Sequence, residues 1–191
     1  MTKRFLYHGT GIYSLVSILA TGELREGAYW GKPGEPHGPR LTEDYTVAKG
    51  FIANNIHWGE GGVLVFDRTK LAEDYDLVSY SDTTCEGVPW PSDEREVAIA
   101  APVVRNLDRY LVSAIVDPAF IERAAAMETI FDAEAECGWC YGRGDEFEIG
   151  VVQFRRDAHE VLRSPFLNAV EAPDGSFPTI GNWKEGPCPT P

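Results

Sequence analysis

Two short stretches carry side chains suited to gripping and polarising a sugar. In Tyr7-His8-Gly9-Thr10 an imidazole and a hydroxyl flank a glycine at the end of an apolar run. Both polar groups make directional hydrogen bonds, and a residue without a side chain lets a flat ligand approach the backbone, a combination that suits a ribose and a carboxamide. The same tetrapeptide also reads as a strand whose histidine is satisfied by backbone. In Glu94-Arg95-Glu96 two carboxylates precede the apolar run Val97-Ala98-Ile99-Ala100. With the strand already begun, period-two spacing sets both acids on one side, facing one cleft, and Val97 and Ile99 on the other. A carboxylate so placed can stabilise an oxocarbenium-like centre and bind a ribose hydroxyl, as cleavage of a glycosidic bond requires. A solvated charged loop is the plainer reading of those three residues.

The elements that must position these groups are short. Residues 4–8 read as a strand closed by Gly9-Thr10-Gly11, and Ile12, Leu15, Val16 and Leu19 then recur at helical spacing until Gly22 stops the helix. Residues 23–39 are rich in glycine and proline and read as a loop bearing Tyr29, Trp30 and His37. Arg40-Leu41-Thr42 predicts a short strand, with Thr42 or Asp44 capping a helix whose inner face includes Val47, Phe51 and Ile52. Further strands are expected at 63–66, 76–80, the last part of 94–100, 111–116 and 147–154, and a helix from Pro118 to about Glu136. Short strands scattered among two or three helices indicate an α+β domain over residues 1–163, followed by a proline-containing tail at 164–191.

Composition narrows the partners. The 191 residues, 43% hydrophobic, are enough to bury one full core. Seventeen Lys and Arg against thirty Asp and Glu give a net charge of -13, which disfavours nonspecific nucleic-acid or anionic-membrane binding, although a local basic groove including Arg4, Arg25, Arg40 and Lys49 could accept a strand end. No apolar run approaches the roughly 20 residues of a membrane span, so no membrane partner is expected and a cytoplasmic site of action is the default. The four cysteines, at 85, 137, 140 and 188, do not form a disulfide framework. Cys137-Gly138-Trp139-Cys140 lacks neighbouring ligands to complete a zinc site, so no metal is expected and the pair reads as reduced thiols in a turn. His37 and His57 read as surface histidines.

Taken together, three motifs over residues 4–116 resemble the ADP-ribosyltransferases. Tyr7-His8-Gly9-Thr10 followed by a helix is similar to the first strand of the diphtheria-toxin and poly(ADP-ribose) polymerase branch. Leu41-Thr42-Glu43-Asp44-Tyr45-Thr46-Val47-Ala48-Lys49-Gly50-Phe51 resembles that branch's second motif. Phe51 stands at the second tyrosine and Arg40 at the first. Glu94-Arg95-Glu96-Val97 resembles the third motif, with Glu96 at the family glutamate, while the Glu-x-Glu pair is typical of the arginine-modifying branch. The resemblance implies two packed, mainly antiparallel small sheets with flanking helices. It implies NAD⁺ as substrate, held by His8, Gly9, Thr10, Thr42, Tyr45 and Phe51. Stacking on nicotinamide falls to Phe51, Tyr45, Tyr29 or Trp30. Glu96 would stabilise the ribose cation, and Glu94 would orient or deprotonate the acceptor.

The loop at 81–93, with Trp90 between two prolines, is the candidate contact for a macromolecular acceptor, protein in preference to nucleic acid. A bacterial or phage effector is the setting such an enzyme suggests. An NAD⁺ glycohydrolase and a catalytically silent binding module of the same fold are the alternatives. An RNA phosphate transferase is disfavoured by the acidic balance.

Overall fold

The computed structural model describes residues 3–26, 37–54, 61–80, 84–85, 88–89, 95–116, 118–126 and 156–168. Ten strands and four helices follow in the order β1 (Phe5–Gly11), α1 (Ile12–Thr21), β2 (Glu23–Arg25), β3 (Arg40–Thr42), α2 (Tyr45–Asn54), β4 (Gly61–Asp67), α3 (Arg68–Asp74), β5 (Leu77–Tyr80), β6 (Thr84–Cys85), β7 (Val88–Pro89), β8 (Glu96–Ile99), β9 (Val103–Arg105), β10 (Leu111–Val116) and α4 (Pro118–Ala126). An eleventh strand, β11 (Leu167–Asn168), closes the described chain. The protein is thus mixed α+β. Its main sheet has seven strands in the order β11-β10-β4-β1-β3-β8-β5, antiparallel except for β10 with β11. The ribbons β2-β9 and β6-β7 stand apart from it.

The centre of the sheet explains its strength. All seven residues of β4 are buried, because helices cover both faces, and a doubly covered strand has no position that tolerates a polar side chain facing water. Alternation divides its residues. Leu64 and Phe66 join Leu6, Leu41, Val97 and Ile99 beneath Ile12, Leu15, Val16 and Ile18 of α1. Val63 and Val65 join Tyr7 and Ile115 beneath Tyr45, Ala48 and Ile52 of α2. Ala158 and Val161, on a helical segment at 156–161, complete the α1 side.

Local signals account for the helix ends. Gly22 takes a left-handed φ of 65° and donates its N–H to the Ile18 carbonyl at 3.0 Å, ending α1 where the sequence predicts. Asp44 caps α2, accepting the Thr46 N–H at 2.8 Å, while the Thr42 hydroxyl accepts the Asp44 N–H at 3.0 Å. Asp67 caps α3, accepting from Thr69 and Lys70. At the far end of α3, the Tyr110 hydroxyl donates to Asp74 at 2.6 Å, and burial together with that carboxylate pushes the phenol up to about 12.

Several expectations need correction. β1 does not close at Gly9; it continues through Gly11, paired residue for residue with β4 as far as Gly11↔Gly61. Gly61 allows this: a Cβ there would lie 2.2 Å from the Thr10 carbonyl oxygen. The inner face of α2 is Tyr45, Ala48 and Ile52, with Val47 only half-buried. The 23–39 loop begins with β2, which pairs with β9. Two packed, mainly antiparallel small sheets were expected; the described strands form one seven-stranded, mainly antiparallel sheet and two ribbons. The Phe51 side chain, Glu94, Tyr29, Trp30, His57, Trp90, Cys137, Cys140 and most of the expected tail lie outside the described residues and side chains.

Candidate functional site

The three strands that carry the nominated residues are neighbours: β1, β3 and β8 lie side by side. Their register aligns Tyr7 with Thr42 and Thr42 with Glu96. Directly opposed residues share a face, so Tyr7, Thr42 and Glu96 form a row on the α2 side of the sheet. His8 is paired with Leu64, and alternation assigns it to the α1 side. His8 and Glu96 therefore belong to opposite faces of the sheet, on strands separated by β3.

Arg40 connects them. The β1-β3 ladder is formed at Tyr7↔Thr42, and continued pairing would set Gly9 opposite Arg40. Instead the imidazole Nδ1 of His8 lies 2.9 Å from the Arg40 carbonyl oxygen. A carbonyl only accepts, so Nδ1 carries the proton and Nε2 the lone pair. The Arg40 guanidinium, on the Glu96 face, donates through Nη1 to Glu96 Oε2 at 2.8 Å. The pair is largely dry, with side chains 16% and 9% exposed for Arg40 and Glu96. A charge-assisted bond between two partly desolvated groups is stronger than its surface counterpart and fixes both rotamers.

Burial pulls the His8 imidazole below its ordinary 6.5, and the bond to the Arg40 carbonyl offsets part of that shift. His8 is thus neutral at pH 7, with an acceptor nitrogen suited to a hydroxyl donor. Because the folded-state value is depressed, the unfolded chain binds the extra proton first as pH falls below 6.5. The stability contributed by neutral His8 is present above pH 6.5 and lost as pH drops through the lowered folded value. Thermal unfolding followed from pH 7.5 downward should show that loss in the wild type, and His8→Gln should flatten the slope in this window. An identical slope in His8→Gln would assign it to another group.

The approach to Glu96 is also specific. Arg95 has φ 45°, a left-handed conformation uncommon outside glycine, and its carbonyl accepts the Glu43 N–H at 3.2 Å. Regular extended backbone therefore does not run through Arg95, and Glu94, one residue earlier, lies outside the described residues. Glu43 is tied in turn to Arg68, which anchors the end of β3 to the start of α3.

The other nominated residues that the structure describes are packed into the scaffold. Gly9 makes room for α2: a Cβ there would sit 1.8 Å from the Ala48 carbonyl oxygen. Gly9→Ala must push α2 off β1, an overpacking expected to cost about 1–3 kcal/mol or more. Urea unfolding tests this, and a change under about 0.5 kcal/mol, the range of ordinary surface substitutions, would show that α2 does not press on β1. Thr10 and Thr42 are buried, and Tyr45 packs edge-on against Tyr7 with ring centroids 5.6 Å apart. Lys49 lies over the Tyr45 ring at 5.9 Å. His37 is a surface residue whose Nδ1 lies 3.4 Å from Glu26, with its side chain 94% exposed. Arg40 is the site residue that sequence reasoning passed over. Its signal was a charged residue opening the short predicted strand Arg40-Leu41-Thr42.

The described residues thus define an α+β protein whose central strands link a neutral histidine and a buried glutamate through a half-buried arginine. Among them, no helix is long and apolar enough to cross a membrane. Comparison with family models gives no match, and neither does comparison with curated proteins or with solved structures.

Proposed function

We propose that the protein cleaves NAD⁺ at the nicotinamide glycosidic bond and transfers ADP-ribose to a macromolecular acceptor. The observation that carries this reading is the linkage of His8 and Glu96 through Arg40 across the neighbouring strands β1, β3 and β8. Neutral His8 suits a ribose hydroxyl, which it accepts at Nε2. Glu96 supplies negative charge for the cation that develops at the ribose C1′. The C1′–N bond breaks with its electron pair leaving on nicotinamide, the acceptor bonds to C1′, and the acceptor's proton is lost to a base. Glu94 remains the proposed acceptor base, and Phe51 the proposed stacking partner of nicotinamide.

Release of nicotinamide from NAD⁺ by the purified protein, alone and with cell lysate, tests the reading. Release that needs lysate marks a transferase. Release in buffer alone marks a glycohydrolase. Neither release nor NAD⁺ binding in either setting sinks both. A second reading, a silent binding module of the same architecture, is favoured by one observation: Glu96 is engaged by Arg40 and largely buried, as a structural ion pair would be. NAD⁺ binding without turnover would select it.

A further inference from the structure

We propose that Arg40 is the positioning residue of this site, setting the His8 imidazole through its backbone carbonyl and the Glu96 carboxylate through its guanidinium. The proposal deepens the NAD⁺ reading and rests on it for the reaction, but the linkage belongs to the free protein. Three observations lead to it. First, the Arg40 carbonyl receives a side chain where continued β1-β3 pairing would set Gly9 opposite, so its position decides where the imidazole rests. Second, Thr42 is the direct partner of Glu96, and Arg40, two residues earlier on the same face, is its diagonal neighbour, a distance a long side chain spans. Third, the backbone on both sides is fixed. Ala98 pairs with Arg40, and the left-handed Arg95 is bonded to Glu43 just ahead of Glu96.

One residue therefore anchors groups on two faces of the sheet. When its guanidinium holds Glu96, the chain at Arg40 is pinned and its carbonyl stays at the imidazole, which fixes the tautomer. Release of the guanidinium leaves that end of β3 held by its pairing with Ala98, and the carbonyl is then less firmly set against the imidazole. Arginine is suited to this because its planar fork holds a carboxylate in one orientation, whereas lysine offers a point charge on a flexible stem. The expected signature is a dependence of the His8 imidazole on a side chain it does not touch.

The test reads the imidazole ¹⁵N resonances of His8 in the unliganded wild type, Arg40→Met, Arg40→Lys and Glu96→Gln. The wild type should show the Nδ1–H form, Arg40→Met a mixture of tautomers, Glu96→Gln a smaller shift the same way, and Arg40→Lys a return towards wild type. Should Arg40→Met not fold, Glu96→Gln and Arg40→Lys carry the comparison. A wild-type imidazole pattern in every folded variant overturns the proposal. On turnover, kcat of Arg40→Met should fall by about tenfold or more with KM within about threefold, since misplacement of reacting groups is felt in kcat. A raised KM with unchanged kcat would put Arg40 on the ligand and also overturn it. If wild type releases no nicotinamide while the imidazole responds as expected, the NAD⁺ reading fails and the positioning role stands.

Discussion

Glu96→Leu is expected to destabilise the protein by about 3–5 kcal/mol, and the double substitution Arg40→Met/Glu96→Leu to recover most of that loss. Glu96 Oε2 and Arg40 Nη1 are 2.8 Å apart with little access to water. Removing the carboxylate takes the Glu96 counter-charge away from a largely dry guanidinium, and losing an ion-pair partner there costs more than losing an apolar contact. Removing both charges leaves two apolar side chains of similar reach between β3 and β8. Such replacements of buried pairs are often neutral or stabilising. The residual exposure of Arg40 places the single-variant loss towards the lower end of the range. Urea unfolding at pH 7 of the two singles and the double, analysed as a cycle, gives the coupling. Additive losses in the double variant would show that the pair does not act as a unit.

The pair also shows what the sequence can disclose. Its partners are 56 positions apart, and their meeting depends on the register Thr42↔Glu96, which no local pattern specifies. Features set by local chemistry were legible: the apolar spacing of α1, the left-handed Gly22 that ends it, the Asp44 cap and the alternation of β8. Features set by neighbours were not. Gly9 has the same composition whether it faces a ligand or the Ala48 carbonyl, and the outcome was decided by how closely α2 lies on β1. The seven-residue α3 buries Leu71 alone, so it carries no helical periodicity, and its Asp67 cap was the signal that could have found it. The left-handed φ of Arg95 was not legible either, because a non-glycine residue type does not announce it.

Glu96→Gln is the substitution that separates stability from chemistry. The amide keeps the shape of the side chain and retains a carbonyl oxygen for Arg40 Nη1, so the interior is not opened as it is by leucine. What disappears is the negative charge. If Glu96 faces a cation developing at the ribose C1′, that loss falls on the transition state more than on bound NAD⁺, because the ground-state ribose carries less of the charge. Removing a preorganised electrostatic stabiliser costs on the order of 2.7–4 kcal/mol, or about a hundredfold to a thousandfold in rate. Nicotinamide release by Glu96→Gln should therefore fall by at least that lower factor, with NAD⁺ affinity nearly unchanged and a cooperative unfolding transition retained. His8→Ala should act differently, since a group that accepts a ribose hydroxyl weakens binding when removed and appears first in KM. An active Glu96→Gln would leave the buried pair with a purely structural role. Loss of activity in step with loss of folded protein would point the same way. Retained fold, retained binding and lost turnover together would place the chemistry at Glu96, in a site where the same guanidinium that stabilises the carboxylate in the resting protein also holds it against the sheet.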